Sequence, residues 1–421
     1  MRFEKLFINP KYYLVSMNFI DLFAGAGGMS EGFIREGFHP IAHVEMSKEA
    51  CETLKTRIAY HYFNLKNQIH IYEEYLKNLI SKDDLLLNVP IKKLDSVIQC
   101  EISSNTVHDI FKKIDSLRQR KKIDVIIGGP PCQAYSVAGR SRDPNGMKRD
   151  QRNFLFRHYG DFLAYYKPKF FVFENVLGLL SAGNAKYFQE MMLLFKSLGY
   201  SIDYKVINAE DCGVLQKRRR VIIIGKRAKF NFIFPEIKKA GFSGKVKRDL
   251  FSDLPFLSPG DQLDFCNYTK PSNSYLRDSF IRDFSSFVTQ HTCRMNNIRD
   301  LEIYAIVINK WLLESKRLKY SELPKRLIKH NNLDSFLDRY KVIDPNGFSH
   351  TIVAHIAKDG HYYIYPDAKQ IRSISVREAA RLQSFPDNYY FEGGRTAAYK
   401  QIGNAVPPLM AQAIAKTLKK L

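Results

Sequence analysis

The sequence predicts an α/β fold, a mostly parallel sheet flanked by helices, with a smaller mixed domain inserted towards its carboxyl end. Three observations lead there. Short β-branched or aromatic runs at 19–23, 41–44, 124–127 and 170–173 alternate with helical stretches, and such continuous apolar strands belong to sheets covered on both faces. Each run ends in glycine or in a polar residue able to carry chemistry, the position where open α/β sheets place their sites. From about residue 240 the alternation stops and turn residues multiply (Ser258-Pro259-Gly260, Lys270-Pro271-Ser272-Asn273), marking a second unit.

Composition sets the outer bounds. A chain of 421 residues has room for two domains, and 45% hydrophobic with 26% charged residues describes a soluble globular protein. No apolar run approaches the roughly 18 residues of a membrane span. Arg2, Glu4, Lys5, Pro10 and Lys11 interrupt the start, so the apolar core of a signal peptide is missing. Six cysteines lie scattered with no Cys-x-x-Cys pair, which argues against a zinc site or disulfide framework and for a reducing cytoplasm. The formal net charge of +22 points to a polyanionic partner, nucleic acid first.

Taken in order, the aromatic residues among 1–17 suggest a docked arm. The strand at 19–23 runs into Ala24-Gly25-Ala26-Gly27-Gly28, a glycine turn opening a short helix, although Ser30 stands where a dinucleotide fingerprint has its third glycine. The strand at 41–44 ends in Glu45, about 20 residues after Gly25, where nucleotide-binding folds place an acid on ribose hydroxyls. Together these indicate an adenosine-bearing cofactor. The charged helical stretch 51–104 reads as an insertion, and Asp109 after it is a candidate acceptor for a cofactor amine.

The centre of the chain is 124–136, DVIIGGPPCQAYS, where a buried strand ends at Gly128-Gly129 and Pro130-Pro131 restrict the backbone just before Cys132. The polar, basic loop 140–156 follows, with the length of a lid. Glu174-Asn175-Val176 ends the strand at 170–173, bringing a carboxylate to the thiol. An amphipathic helix over 184–198 stops at Gly199, and Gln216-Lys217-Arg218-Arg219-Arg220 leads into the strand at 221–224.

In the second unit Leu301, Tyr304, Ala305, Ile308, Trp311 and Leu312 share a helical face, with a basic cluster after it. Residues 349–365 alternate like a hairpin around Asp359-Gly360. His350, His355 and His361 have no common metal-site spacing and read as strand histidines, so no metal is expected. Helical 377–387 stops near Pro386, and a closing helix starts at 401–408.

The motifs DLFAGAGG, HVEMS, GGPPCQAYS, FENV, QKRRR, REAARLQSFPD and QIGNAVPP occur here in the order seen in DNA (cytosine-5)-methyltransferases, which the chain resembles over 19–408. The resemblance is to bacterial enzymes of restriction-modification type. It implies a Rossmann-like, S-adenosylmethionine-dependent catalytic domain over 1–244 and 387–421, with a target-recognition domain over 245–386. It also implies a monomer acting on double-stranded DNA, with a restriction endonuclease as a possible functional companion.

Carbon 5 of cytosine is a poor nucleophile, so a thiolate must first add at carbon 6 to turn the ring into an enamine. Cys132 fits that role, and a carboxyl group at Glu174 can supply a proton or hydrogen bond at ring nitrogen 3. By resemblance, Arg218 orients the base and Glu174 while Arg220 supports the pocket. Asp21, Phe23, Gly25, Gly27, Glu45, Met46, Asp109, Ile110, Leu155, Asn404 and Val406 match cofactor positions, and Gln133, Ser136, Arg140 and Gln216 match DNA-contacting ones. Asn153 and Tyr135 depart from the residues frequent in the family, which bears on how the lid packs.

Three rival readings fare worse. Cys266-Asn267-Tyr268-Thr269 resembles the Cys-Phe-Thr signature of an RNA-methylating branch, but its position and middle residue differ. A catalytically dead DNA-binding regulator would have lost Cys132 or Glu174. A dinucleotide oxidoreductase leaves the Pro-Cys-Gln and Glu-Asn-Val motifs unexplained.

Overall fold

A computed structural model describes residues 17–131, 154–228, 232–282, 286–329, 331, 333–334 and 337–421. The expected arm at 1–17 apart from Met17, the expected lid at 140–156 apart from its last three residues, and Cys132, Gln133, Tyr135 and Ser136 lie outside them, Arg140 and Asn153 included.

The elements before residue 245 begin with β1 (Asn18–Leu22), α1 (Gly28–Arg35), β2 (His39–Glu45), α2 (Lys48–Leu65), α3 (Ile69–Leu76), α4 (Lys82–Leu87), α5 (Ile91–Leu94), β3 (Val97–Gln99), α6 (Val107–Arg118) and β4 (Val125–Gly128). Next come α7 (Leu155–Tyr166), β5 (Phe170–Asn175), α8 (Lys186–Ser197), β6 (Tyr200–Asn208), β7 (Gln216–Lys217) and β8 (Arg219–Arg227). Their main sheet has seven strands in the order β3-β2-β1-β4-β5-β8-β6, confirming the α/β class. The first five in that order are parallel, and β8 runs antiparallel to both β5 and β6. Strand order reverses between β1 and β4, so the carboxyl ends of those two strands form the crevice where such sheets bind ligands.

Alternation along each strand divides the core in two. Phe19, Val125, Ile127, Phe170, Val172, Ile222 and Ile224 pack under α1 and the last helix, α13 (Pro408–Leu418). Ile20, Leu22, Ile126, Phe171, Phe173, Val221 and Ile223 pack under α6, α7 and α8. Both faces are thus apolar, as parallel strands require. Two glycines permit the closeness of α1 and α13: a Cβ on Gly28 would lie 2.2 Å from the Val406 carbonyl oxygen, and one on Gly32 would lie 2.4 Å from the Gln412 nitrogen.

Beyond residue 245 come a one-turn π-helix (Val246–Phe251), β9 (Gln262–Asn267), α9 (Ser274–Asp278), β10 (Phe287–Thr292), α10 (Ile298–Glu314), β11 (Ser349–His350), α11 (Val376–Leu382) and α12 (Arg395–Asn404). β9 and β10 form an antiparallel pair. Their core joins Val246, Leu250, Phe251, Tyr275, Ile352 and Leu382 to Ala26 and Leu215 of the first unit, so the two units share packed side chains.

Three local expectations need correction. Residues 349–365 do not form a hairpin: β11 pairs in parallel with β7, and Ala354–Ala357 make a 3-10 turn. On α10 the buried stripe is Ile303, Tyr304, Val307 and Ile308, while Leu312 is 47% exposed. The segment at 401–408 is the junction of two helices, because α12 ends at Asn404 and Pro408 starts α13.

Candidate active site

The crevice is built from strand ends. After β1 the chain turns at Phe23, which holds a left-handed φ of 56°, and at Gly25 and Gly27 with φ of 53° and 80°. A non-glycine residue in that region is strained and persists where the surroundings impose it, commonly at ligand sites. The Gly25 N–H donates to Glu45 Oε2 and the Ser47 N–H to Glu45 Oε1, both at 2.8 Å. One carboxylate therefore fixes the glycine turn and the start of α2, and its remaining lone pairs stay open to a ligand. Asp21 is buried and accepts the Ser30 hydroxyl at 2.5 Å, so the residue occupying the third-glycine position locks α1 to β1.

The second half of the crevice lies at β4 and β5. The Asn175 side-chain amide donates to the Pro130 carbonyl oxygen at 3.3 Å, tying the end of β5 to the turn that leads to Cys132. A Cβ on Gly129 would lie 2.6 Å from Glu174 Oε2, so only glycine lets the carboxylate occupy that space. Arg220 Nε meets Glu174 Oε1 at 2.8 Å, both side chains being about nine-tenths buried. The pair forms because β8 runs antiparallel to β5, with Glu174 opposite Ile222 and Asn175 opposite Val221.

With this geometry in place, comparison with known proteins is decisive. The profile of the C-5 cytosine-specific DNA methylases matches residues 17–90 and 96–420. The chain belongs to that family. It is 41% identical to the type II methyltransferase M.Bpa9945I of Bacillus paralicheniformis, over 95% of this chain and 98% of the relative. It is 30% identical to M1.HphI of Haemophilus parahaemolyticus, over 99% of this chain and 90% of that protein. Among solved structures, a candidate DNA modification methyltransferase encoded within an E. coli prophage superposes with a TM-score of 0.62 at 25% identity, over 96% of this chain and 99% of that one. The protein is a DNA (cytosine-5)-methyltransferase. Among the described residues no helix is long and apolar enough to cross a membrane.

Within this methylase several expected residues sit elsewhere than the sequence suggested. Arg218 does not reach Glu174; it is buried and donates to the carbonyl oxygens of Ile352 at 2.6 Å and Ala405 at 2.9 Å. Gln216 is also fully buried, giving its amide to Leu382 O and Gln383 Oε1 and taking the Ile352 N–H, each at 2.9 Å, so it is closed to DNA. Together with the β7–β11 pairing these two side chains stitch the second unit to the sheet.

On the cofactor side Asp109 lies in the first turn of α6, mostly exposed and 2.9 Å from Lys112, whose ammonium holds its carboxyl below the usual range. Ile110 is 1% exposed inside the core and offers no ligand surface. A second acidic residue, which the sequence reading did not single out, stands nearer the sheet at Glu101. β3 ends at Gln99, the Cys100 N–H donates to the Glu45 carbonyl at 2.9 Å, and Glu101 follows at the crevice edge, exposed. The signal was the apolar pair Val97-Ile98, too short to register as a strand.

Met46 is 58% exposed beside Glu45, and Leu155 opens α7, half-buried. Asn404 is exposed at the end of α12, and the Val406 backbone covers Gly28. His350 Nε2 contacts the Tyr362 carbonyl and His361 Nδ1 lies 2.8 Å from the Tyr304 hydroxyl, and among the described residues no three His, Cys, Asp or Glu side chains gather as a metal site would.

Proposed function

We propose that the protein transfers a methyl group from S-adenosylmethionine to carbon 5 of a cytosine flipped out of a specific double-stranded DNA sequence, through a covalent adduct of Cys132. The observation that carries this reading is the convergence of three features: the Gly129-Pro130-Pro131 turn leading to Cys132, the Asn175 tie on Pro130, and the Glu174–Arg220 pair. Other cysteines suit the role poorly, since burial pushes the Cys51 and Cys212 thiols up to about 12 and Cys266 to about 11. Buried thiols are inert because the thiolate is the nucleophile.

Residues of this chain suit the cofactor. Space stands open around Gly25 where a side chain would be, and carboxylates at the ends of β2 and β3 are the acceptors that ribose hydroxyls and an adenine amine need. Phe23, Met46, Leu155 and Val406 would supply apolar contacts, Asn404 a polar one, and Glu45 and Glu101 the acidic ones. When bound, S-adenosylmethionine supplies an electrophilic methyl carbon.

Cys132 adds as thiolate to carbon 6, and the ring electrons move to carbon 5 as Glu174 hydrogen-bonds ring nitrogen 3. Arg220 holds Glu174 in position and offers its guanidinium to the base, the role first expected of Arg218. Carbon 5 would take the methyl carbon as the sulfonium–methyl bond breaks to leave a neutral thioether, and removal of the carbon 5 proton by a base then expels Cys132 as thiolate and restores the aromatic ring. The target base must leave the helix, because carbon 6 inside a stacked duplex is closed to a thiol.

On the same reading residues 245–386 form the target-recognition unit, and Gln133, Ser136 and Arg140 contact DNA around the flipped base. The enzyme works as a cytoplasmic monomer, functionally paired with a restriction endonuclease.

The test uses a duplex carrying 5-fluorocytosine at the target, since fluorine at carbon 5 cannot leave as a proton does. With S-adenosylmethionine the native enzyme should form an adduct stable to denaturation, and Cys132→Ala should form none. An adduct with the variant would overturn the assignment. Exchange of 250–350 for the matching segment of a relative should change the sequence methylated, because base contacts carry specificity; an active chimera with an unchanged target would refute the domain reading.

A further inference from the structure

Helices α2 to α5 hold none of the residues assigned to chemistry, yet they receive a side chain from far along the chain. Ala59, Phe63, Tyr72, Leu76, Leu85 and Val89 form a small core that closes around Phe287, the first residue of β10, which is 3% exposed. Lys77 Nζ stands 5.0 Å from that ring's centre, and Phe265 of β9 packs on it at 4.8 Å.

A second grip lies at the turn after α11. Tyr72 donates its hydroxyl to the Asn388 carbonyl, Arg57 Nη1 donates to Asn388 Oδ1, and Tyr75 donates its hydroxyl to Glu392 Oε1, all at 2.8 Å. The Thr56 hydroxyl reaches the same Glu392 oxygen, with Lys82 Nζ 3.7 Å from it. Gln290 of β10 takes the Phe391 N–H at 3.0 Å and donates to the Phe391 carbonyl at 2.8 Å. These two bonds join the turn to the β9–β10 pair. The other end of α2 is fixed to the cofactor side, because Ser47 caps the helix while its N–H binds Glu45.

We propose that α2–α4 are a brace holding the β9–β10 hairpin at a fixed position relative to the cofactor turn, with Phe287 and Glu392 as positioning residues for DNA engagement. The proposal rests on residues 245–386 being the target-reading unit. Neither residue lies against Glu174, Arg220 or Glu45, so loosening the brace leaves chemistry and cofactor affinity alone. DNA must then select the aligned arrangement from a wider set, which weakens apparent affinity by the fraction aligned.

Steady-state methylation of a cognate duplex tests this. Phe287→Ala should raise the KM for DNA about tenfold and Tyr75→Phe about threefold. In both, kcat at saturating DNA and the Kd for S-adenosylmethionine should stay within about twofold, and Phe287→Leu should restore most of the loss. An unchanged DNA KM in either variant overturns the brace, as does a parallel fall in kcat and cofactor affinity. Should Phe287→Ala fail to fold, Tyr75→Phe decides, since it removes one oxygen. The segment exchange tests the domain reading separately: an unchanged target there would sink the reading and the brace with it, whereas a changed target there with an unchanged KM here would sink the brace alone.

Discussion

Arg220 and Glu174 meet at 2.8 Å across two antiparallel strands, and Arg218, two residues earlier, points instead into the joint between the two units. The two arginines therefore fail differently when removed. Arg220→Ala should lower the single-turnover rate of methyl transfer about 10²- to 10³-fold, the range found when one oriented donor is lost from a site. Cofactor affinity should stay the same.

Arg218→Ala leaves the buried Ile352 carbonyl without its donor, at a cost of about 1–3 kcal/mol, and leaves the Ala405 carbonyl only the Gln383 amide at 3.2 Å. Thermal denaturation should show a Tm lower by several degrees, with the folded fraction retaining its methyl-transfer rate. A fast loss of activity at unchanged Tm would return Arg218 to the catalytic pocket.

Glu101 and Asp109 separate the two candidate acceptors for the cofactor amine. Replacing Glu101 by Gln should weaken S-adenosylmethionine about tenfold, the scale of one hydrogen bond to a charged group. Replacing Asp109 by Asn removes only an exposed pair with Lys112 and should leave the calorimetric Kd unchanged.

Burial depresses His350 from its ordinary 6.5 to about 4, with the Lys341 and Arg317 charges adding to the effect. The unfolded chain thus binds a proton that the folded chain refuses between those values. This contribution to stability is fully present above about pH 6.5 and is lost as pH falls towards 4. His350→Gln keeps a donor for the Tyr362 carbonyl without the titration, so its urea midpoint should fall less over that interval. Parallel pH profiles for the two proteins would contradict this.

Extrusion of the target base costs on the order of a few kcal/mol, part of which is absent when the base is already mispaired. Competition titrations with S-adenosylhomocysteine present should show tighter binding to a mismatched target, by roughly tenfold for each 1.4 kcal/mol spared. Equal affinities would argue against flipping within the binding equilibrium.

The strands that carry chemistry were readable because a parallel sheet buries both faces and writes its strands as unbroken apolar runs. The motif residues at their ends, Glu45 and Glu174, followed directly. The resemblance pointed to Arg218 at Glu174, but side chains two apart point the same way along an extended chain, and only the register with β5 brings Arg220 to Glu174 instead. Asp109 stands out in the sequence within a His-Asp-Ile tripeptide, whereas Glu101 follows a strand of three residues, which leaves almost no periodic trace. Gln216 matched a DNA-contacting position by resemblance alone, and its partners Leu382, Gln383 and Ile352, more than a hundred residues away, leave no trace in the local sequence.

The close packing of α1 against α13 also sets an order of events during synthesis. One face of the first strand, with Met29 and Phe33 above it, stays uncovered until 408–418 have left the ribosome. At about 5–20 residues per second that wait lasts tens of seconds. Throughout it the half-built sheet is a client for chaperones, and a chain halted before Pro408 would keep that apolar face bare.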